Sequence, residues 1–229
     1  MRLTMSMIVL IRHGETEWNR SGQIMGARPV PLNVRGESQA ERLARFLARW
    51  ASPAGPDPSA SPAGPPLPRL TGDSCRLISS PVCRAMQTAT ILGRALDLTV
   101  QPDAGLSEIG VGEWEGRFWN ELGEDSARRR YYAHPSDARP PGGETFREVQ
   151  ARAVAVIDRA MRGQRQGIFL CVSHADVIRS IMAHLLGLLP HHTREMRIDH
   201  TSLTGLSLEP GPSALLFLNY VVPDIHPTP

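Results

Sequence analysis

The chain alternates short, β-like apolar runs with longer stretches of helical period. Ile8–Ile11 is a continuous aliphatic run, the composition of a strand buried on both faces. In Arg35–Trp50, Ala40, Leu43, Ala44 and Leu47 recur at i, i+3, i+4, i+7, with glutamates and arginines opposite, which predicts an amphipathic helix. Arg76–Ser79 reads as a short strand. Ser80-Pro81 reads as a helix start, with Ser80 as N-cap and Pro81 in the first turn; the helix runs to about Leu96, with Ala85, Ala89, Leu92 and Leu96 inward. Leu98–Gln101 predicts a third strand, Leu106–Gly116 an irregular glycine-rich segment, and Phe118–Tyr132 a partly helical one. Thr145 and Glu148 fit a capping box for a long helix whose apolar stripe is Phe146, Val149, Ala153, Val156, Ile157 and Ala160. Gly167–Val172 is a second near-continuous apolar run, and Ala175–Leu186 is a helix stopped at Gly187. Ser202–Leu208 and Ala214–Val221, joined by the turn E-P-G-P-S, predict a closing hairpin. The order predicts an α/β fold: a three-layer sandwich with a mostly parallel, mixed central sheet and helices on both faces.

One stretch breaks the pattern. Residues 51–68 hold 7 prolines, 4 alanines, 3 serines and 2 glycines, which cannot sustain a helix or a central strand. The 50 residues before it are too few to bury an α/β core, so it reads as a surface insertion within one domain spanning 1–229. A proline-rich docking peptide is the other reading of this composition. Net charge is +2, too weak to argue for nucleic acid or a membrane surface. Cys75, Cys83 and Cys171 are widely spaced and odd in number, which suggests neither a metal-ligand pair nor a disulfide framework. No apolar run approaches the ~18 residues of a membrane helix, and no signal-peptide cleavage site precedes the first strand. A cytoplasmic protein with reduced thiols is expected; a homodimer is left open.

The chemistry sits where strands end. Arg12, His13 and Gly14 follow the first strand directly, and the carboxyl ends of strands are where open α/β sheets bind ligands. Arginine presents a fork that matches phosphate or carboxylate, and histidine has its proton poised near neutral pH. The later strand Gly167–Val172 also ends on a histidine, in Ser173-His174, so the two imidazoles are expected to converge. By itself R-H-G also fits a plain polar turn. The full string L-I-R-H-G-E-T-E-W-N, however, resembles the signature of the histidine phosphatase (phosphoglycerate mutase-like) superfamily. V-S-H-A-D resembles its second histidine motif, with Ala175 where glycine is more usual. S-P-V-C-R-A-M-Q-T-A resembles its S-P-x-x-R-A-x-Q-T-A string, and L-S-E-I-G-V-G-E-W-E-G its L-x-E-x-x-x-G-x-W-E-G string.

The resemblance implies a phosphomonoester hydrolase acting through a phosphohistidine. His13 would be the nucleophile, and Arg12, Arg84 and His174 would hold the phosphate. Glu108 would be the acid that protonates the leaving oxygen and then the base that activates water, with Glu113 and Glu115 structural. Asn19 would bind phosphate or stabilise the turn, and the Ala175 backbone N–H at a helix N-terminus suits an anion. Gly26 and the run P-G-G-E-T at 141–145 are supporting features, the second without an assigned role. No cofactor and no metal are implied, and the partner is a small-molecule phosphate monoester. The rival within the family is a cofactor-dependent phosphoglycerate mutase. Met25, where mutases prefer a small hydroxyl residue, and Trp119, where they carry lysine, argue for the phosphatase; Arg128-Arg129-Arg130 leaves the mutase open. Two other classes are a metal hydrolase, for which the H-x-x-x-H and H-x-H spacings are absent, and a non-catalytic phospholigand-binding module, which would have lost the nucleophile or the acid.

Overall fold

The structure, a computed structural model, describes residues 6–52, 74–122, 126–133, 137–163, 167–208 and 213–224, with Pro65, Leu67, Pro68 and Leu70 in between. The greater part of the run at 51–68 therefore lies outside the described residues. Six strands form one sheet: β1 (Ser6–Arg12), β2 (Cys75–Ser79), β3 (Val100–Pro102), β4 (Ile168–Ser173), β5 (Leu203–Leu208) and β6 (Leu215–Tyr220). Their order across the sheet is β3-β2-β4-β1-β5-β6. The first four are parallel, and β5 and β6 close the edge as an antiparallel hairpin.

Strand alternation sorts the core into two layers, because successive side chains point to opposite faces. Ile8 and Leu10 of β1, with Phe169 and Cys171 of β4, pack under α5 (Phe146–Gly163) and α6 (Ala175–Leu185). Met7, Val9 and Ile11, with Ile168, Leu170 and Val172, pack under α2 (Val34–Ala51) and α3 (Cys83–Leu96). The expected stripes face inward: Leu43, Ala44 and Leu47 on α2, and Val149, Ala153, Val156 and Ile157 on α5. The capping box of α5 forms as expected, with the Thr145 hydroxyl accepting from Glu148 N–H at 3.2 Å and Glu148 Oε2 accepting from Thr145 N–H at 2.8 Å.

Four elements differ from the sequence reading, the first of them β3, which runs Val100–Pro102 and not Leu98–Gln101. Helix α3 begins at Cys83 rather than at Ser80-Pro81, because Val82 is extended (φ −65°, ψ 134°) and is itself the N-cap. Two short helices, α1 (Glu17–Ser21) and α7 (Pro190–Arg194), were not expected; α4 (Ser126–Ala133) falls in the partly helical stretch and ends one residue past it. Among the described residues, no helix is long and apolar enough to cross a membrane.

Candidate active site

The carboxyl ends of β1, β4 and β2 lie side by side. His13 N–H donates to Ser173 O at 3.0 Å, and Ser80 N–H donates to Val172 O at 2.9 Å, so the three strand ends are stitched together. His13 is buried, with Nδ1 2.7 Å from Gly14 O. A carbonyl oxygen can only accept, so Nδ1 carries the proton and the lone pair is on Nε2. Arg84 agrees from the other side: its Nε–H donates to His13 Nε2 at 3.1 Å. Burial first, then His174, Arg84 and Arg12, push the His13 pKa well below its ordinary value, so the ring is neutral at pH 7.

Arg84 is 0% exposed. Its other donors reach Gly26 O and Arg28 O, both at 2.9 Å, in the loop at 20–32. Glu115 holds that loop: Oε2 pairs with Arg28 Nε at 2.9 Å, and Oε1 accepts from Ala27 N–H at 3.2 Å. Its structural assignment thus takes a concrete form. Thr88, one turn along α3 from Arg84, accepts from Gly14 N–H at 3.1 Å and donates to Arg84 O at 2.8 Å, tying helix and strand end together. Arg12 donates from Nη1 to Ile198 O at 2.7 Å, and its buried Nε has no acceptor among the described residues.

His174 stands at the N-cap position of α6 without a side-chain capping bond, its ring centroid 5.1 Å from that of His13. Its Nε2 lies 2.8 Å from Ser80 Oγ, which also accepts from Val82 N–H at 3.2 Å. The Ser80 hydroxyl thus joins the start of α3 to His174. His174 Nδ1 is 3.8 Å from Glu108 Oε2, beyond a hydrogen bond. Glu108 retains 14% side-chain exposure and accepts from Ile109 N–H at 3.0 Å. Burial, reinforced by Asp176 and opposed by Arg84 and Arg12, raises its pKa to about 7.

Arg12, His13, Asn19, Glu108 and Ala175 all line one cavity of about 430 Å³, and Arg84 and His174 lie directly behind it. Met25, Trp119, Tyr131, Asp176, Arg179 and Arg194 form much of the remaining wall, whereas none of Arg128, Arg129 and Arg130 lines it. Asn19 serves the turn: its Oδ1 accepts from Thr16 N–H at 3.1 Å in the cap of α1. That bond fixes the amide orientation and leaves Nδ2 without an acceptor among the described residues. Among the described residues, no three histidine, cysteine, aspartate or glutamate side chains gather into a metal-binding set.

Sequence reading missed Ser80, Thr88 and His200. The His200 ring lies 6.0 Å from that of His13, and burial lowers its pKa to about 3. The signal was in the hairpin: β5 runs antiparallel to β1, so its beginning, where His200 stands, lies beside the end of β1. The P-G-G-E-T run gains a place too, since Glu144 Oε2 accepts from Gly110 N–H at 2.8 Å beside the Glu108 segment.

Comparison with known proteins agrees with this arrangement. A probable phosphoglycerate mutase GpmB of Yersinia enterocolitica is 30% identical over 210 residues, covering 91% of this chain and 87% of the relative. The structure of a mutant phosphoserine phosphatase from Entamoeba histolytica in complex with phosphoserine is 26% identical with a TM-score of 0.76, covering 95% of this chain and 98% of that one. A putative alpha-ribazole-5'-P phosphatase from Escherichia coli is 26% identical with a TM-score of 0.77, covering 96% and 99%. The family model described as histidine phosphatase superfamily (branch 1) matches residues 8–62 and 60–221. Matched along nearly its whole length, and with the strings that resemble the family's motifs brought to one group of strand ends, the chain belongs to the histidine phosphatase superfamily.

Proposed function

We propose that this protein is a metal-independent phosphomonoesterase acting through a phosphohistidine on a small phosphorylated metabolite. The observation that carries the reading is the state of His13: Nδ1–H is committed to Gly14 O, so the Nε2 lone pair is available for in-line attack on phosphorus. Arg84 now occupies that lone pair with its Nε–H. An incoming phosphate would take over this donor together with Arg12, and the two guanidiniums with His174 would neutralise the equatorial oxygens, the dominant work in phosphoryl transfer. Since side chains supply this charge, no cation is required. Glu108, its pKa raised into the neutral range, gives its proton to the leaving alkoxide and, now a carboxylate, takes one from the water that hydrolyses the phosphohistidine.

The relatives named probable phosphoglycerate mutase favour a second reading, in which the phosphoryl group returns to a substrate rather than to water. Met25 and Trp119, the departures from the mutase pattern, both line the cavity, and this supports hydrolysis. One experiment tests both. The protein is mixed with a radiolabelled phosphomonoester in excess EDTA, quenched in alkali, and the labelled residue identified. The label should appear on His13 and leave as inorganic phosphate. Label on His174 alone, no phosphohistidine, or a requirement for added metal would overturn the mechanism. Efficient transfer to 3-phosphoglycerate would establish the mutase instead.

A further inference from the structure

Glu108 sits in a segment that no sheet ladder holds, just past the short 3-10 turn Ala104–Leu106. A general acid, however, must be held within a fraction of an ångström of the oxygen it protonates. The segment is fixed from α5. Arg152 donates from Nη1 to Gly105 O at 2.9 Å and to Ser107 O at 2.6 Å, and from Nη2 to Glu108 O at 3.1 Å. The same guanidinium grips Glu144 twice, Nε to Oε1 and Nη2 to Oε2, both at 2.9 Å. Glu144 completes the clamp on the far side of the acid. Its Oε2 accepts from Gly110 N–H at 2.8 Å, and its own N–H donates to Gly110 O at 2.7 Å. Burial alone would raise the Glu144 pKa, yet the bonds from Arg152 and Gly110 N–H hold it below the ordinary carboxylate range, so the clamp stays ionic at neutral pH.

In sequence Arg152 is one arginine among several on the polar face of α5, and Glu144 belongs to the unassigned P-G-G-E-T run. Yet one guanidinium here serves three carbonyls and a carboxylate, all on or beside the segment that carries Glu108. Only the planar fork of arginine spans such a set; a lysine ammonium has three donors at a single point. We propose that Arg152 and Glu144 are a positioning pair that sets the Glu108 carboxyl against the leaving oxygen; this rests on the phosphatase reading above.

Leaving-group chemistry separates this role from a merely structural one. A 4-nitrophenolate departs without a proton, whereas a glycerol alkoxide needs one. Values of kcat/KM report the transfer to His13 alone, free of the later hydrolysis. For glycerol phosphate, Arg152→Lys and Glu144→Gln should each lower kcat/KM by roughly 10- to 100-fold, the order that misplacing a catalytic group costs. For 4-nitrophenyl phosphate the loss should be under about threefold, because little of the acid's worth is in use. Introduced into Glu108→Gln, neither change should cost much more on glycerol phosphate, since the group they place is gone. Glu144→Gln keeps the shape of the side chain and leaves the three carbonyl bonds of Arg152 in place, so it carries the test if Arg152→Lys does not fold. Equal losses on both esters, no loss on either, or a full further loss on top of Glu108→Gln would overturn the proposal. If the unaltered protein hydrolyses neither ester, the phosphatase reading falls and the positioning role falls with it.

Discussion

At His13 and Glu108 the same physical effect, burial, moves two protons in opposite directions. Loss of water disfavours charge, so the imidazole is driven to its neutral base and the carboxyl to its neutral acid. A nucleophile with a lone pair and a donor with a proton then coexist at neutral pH without either being an unusual residue. The sign of the pH dependence follows. The Glu108 pKa of about 7 means that the acid is lost as pH rises through that value, so kcat/KM for an alkyl phosphate should fall on the alkaline side of about 7. His13 titrates far lower and sets no limb there; on the acid side, the substrate's own second ionisation near pH ~6 intervenes. A bound phosphate dianion beside the carboxyl raises its pKa further, so the alkaline limb of kcat should lie at higher pH than that of kcat/KM. Glu108→Gln should lower turnover on alkyl phosphates by roughly 10²–10⁴-fold and abolish the alkaline limb. A limb unchanged in Glu108→Gln, measured over pH 5–9, would assign it to another group.

At the scale of elements, the strand-end loop and the start of α2 are pressed backbone to backbone. A Cβ on Gly36 would overlap Glu15 O, and one on Gly14 would overlap Gly36 O. Both glycines are there for close approach. Gly36→Ala is therefore a contest: alanine favours the helix by up to ~1 kcal/mol, while forcing a methyl into packed backbone costs typically ~1–3 kcal/mol. The clash should win, lowering the thermal midpoint by several degrees and, by shifting the loop that carries Gly14, lowering kcat/KM as well. A raised midpoint in a circular-dichroism melt would show that the two elements slide apart at no cost. Gly36 also marks how far sequence reading extends. Apolar runs and helical periods showed β1, β4, α2 and α5, because those elements are held by burial, which leaves a pattern along the chain. The start of α3 was misplaced because Val82 is extended and delays the helix to Cys83, while the Ser80 hydroxyl, which still accepts from Val82 N–H, also bonds His174, a partner 94 positions away. His200 went unseen for a related reason, since its nearness to His13 comes from antiparallel pairing and not from any local signal. Arg12, His13 and His174 stood out by following apolar strand runs, whereas Arg84 and Glu108 were found only because their strings resemble a family; as isolated residues, those two looked like surface polar groups.

At the scale of the whole molecule, the stretch between α2 and β2 divides into a part that belongs to the core and a part to which no packing is assigned. Leu67 is 0% exposed and Leu70 4%, both in the layer that holds Trp50, and Leu70 N–H donates to Trp50 O at 3.2 Å. A surface insertion reaching to residue 68 therefore contains a core residue. That hydrogen bond also shows that the chain returns to where it left, so the ends of the intervening stretch are already together. Removing 53–64 leaves Ala51, Ser52 and 65–69 to bridge a gap that one backbone bond spans. Loop entropy changes slowly with length, by about 0.6 kcal/mol per halving, and a Pro/Ala/Ser/Gly run has little apolar surface to bury. Truncating a buried leucine, by contrast, costs about 2–5 kcal/mol. The deletion of 53–64 should hold the thermal midpoint within a few degrees and kcat/KM within about threefold, whereas Leu67→Ala in the full chain should lower the midpoint clearly. If the deletion is the more damaging of the two, the proline-rich run packs on the core or covers the cavity, and the stabilising contact lies in it and not at Leu67.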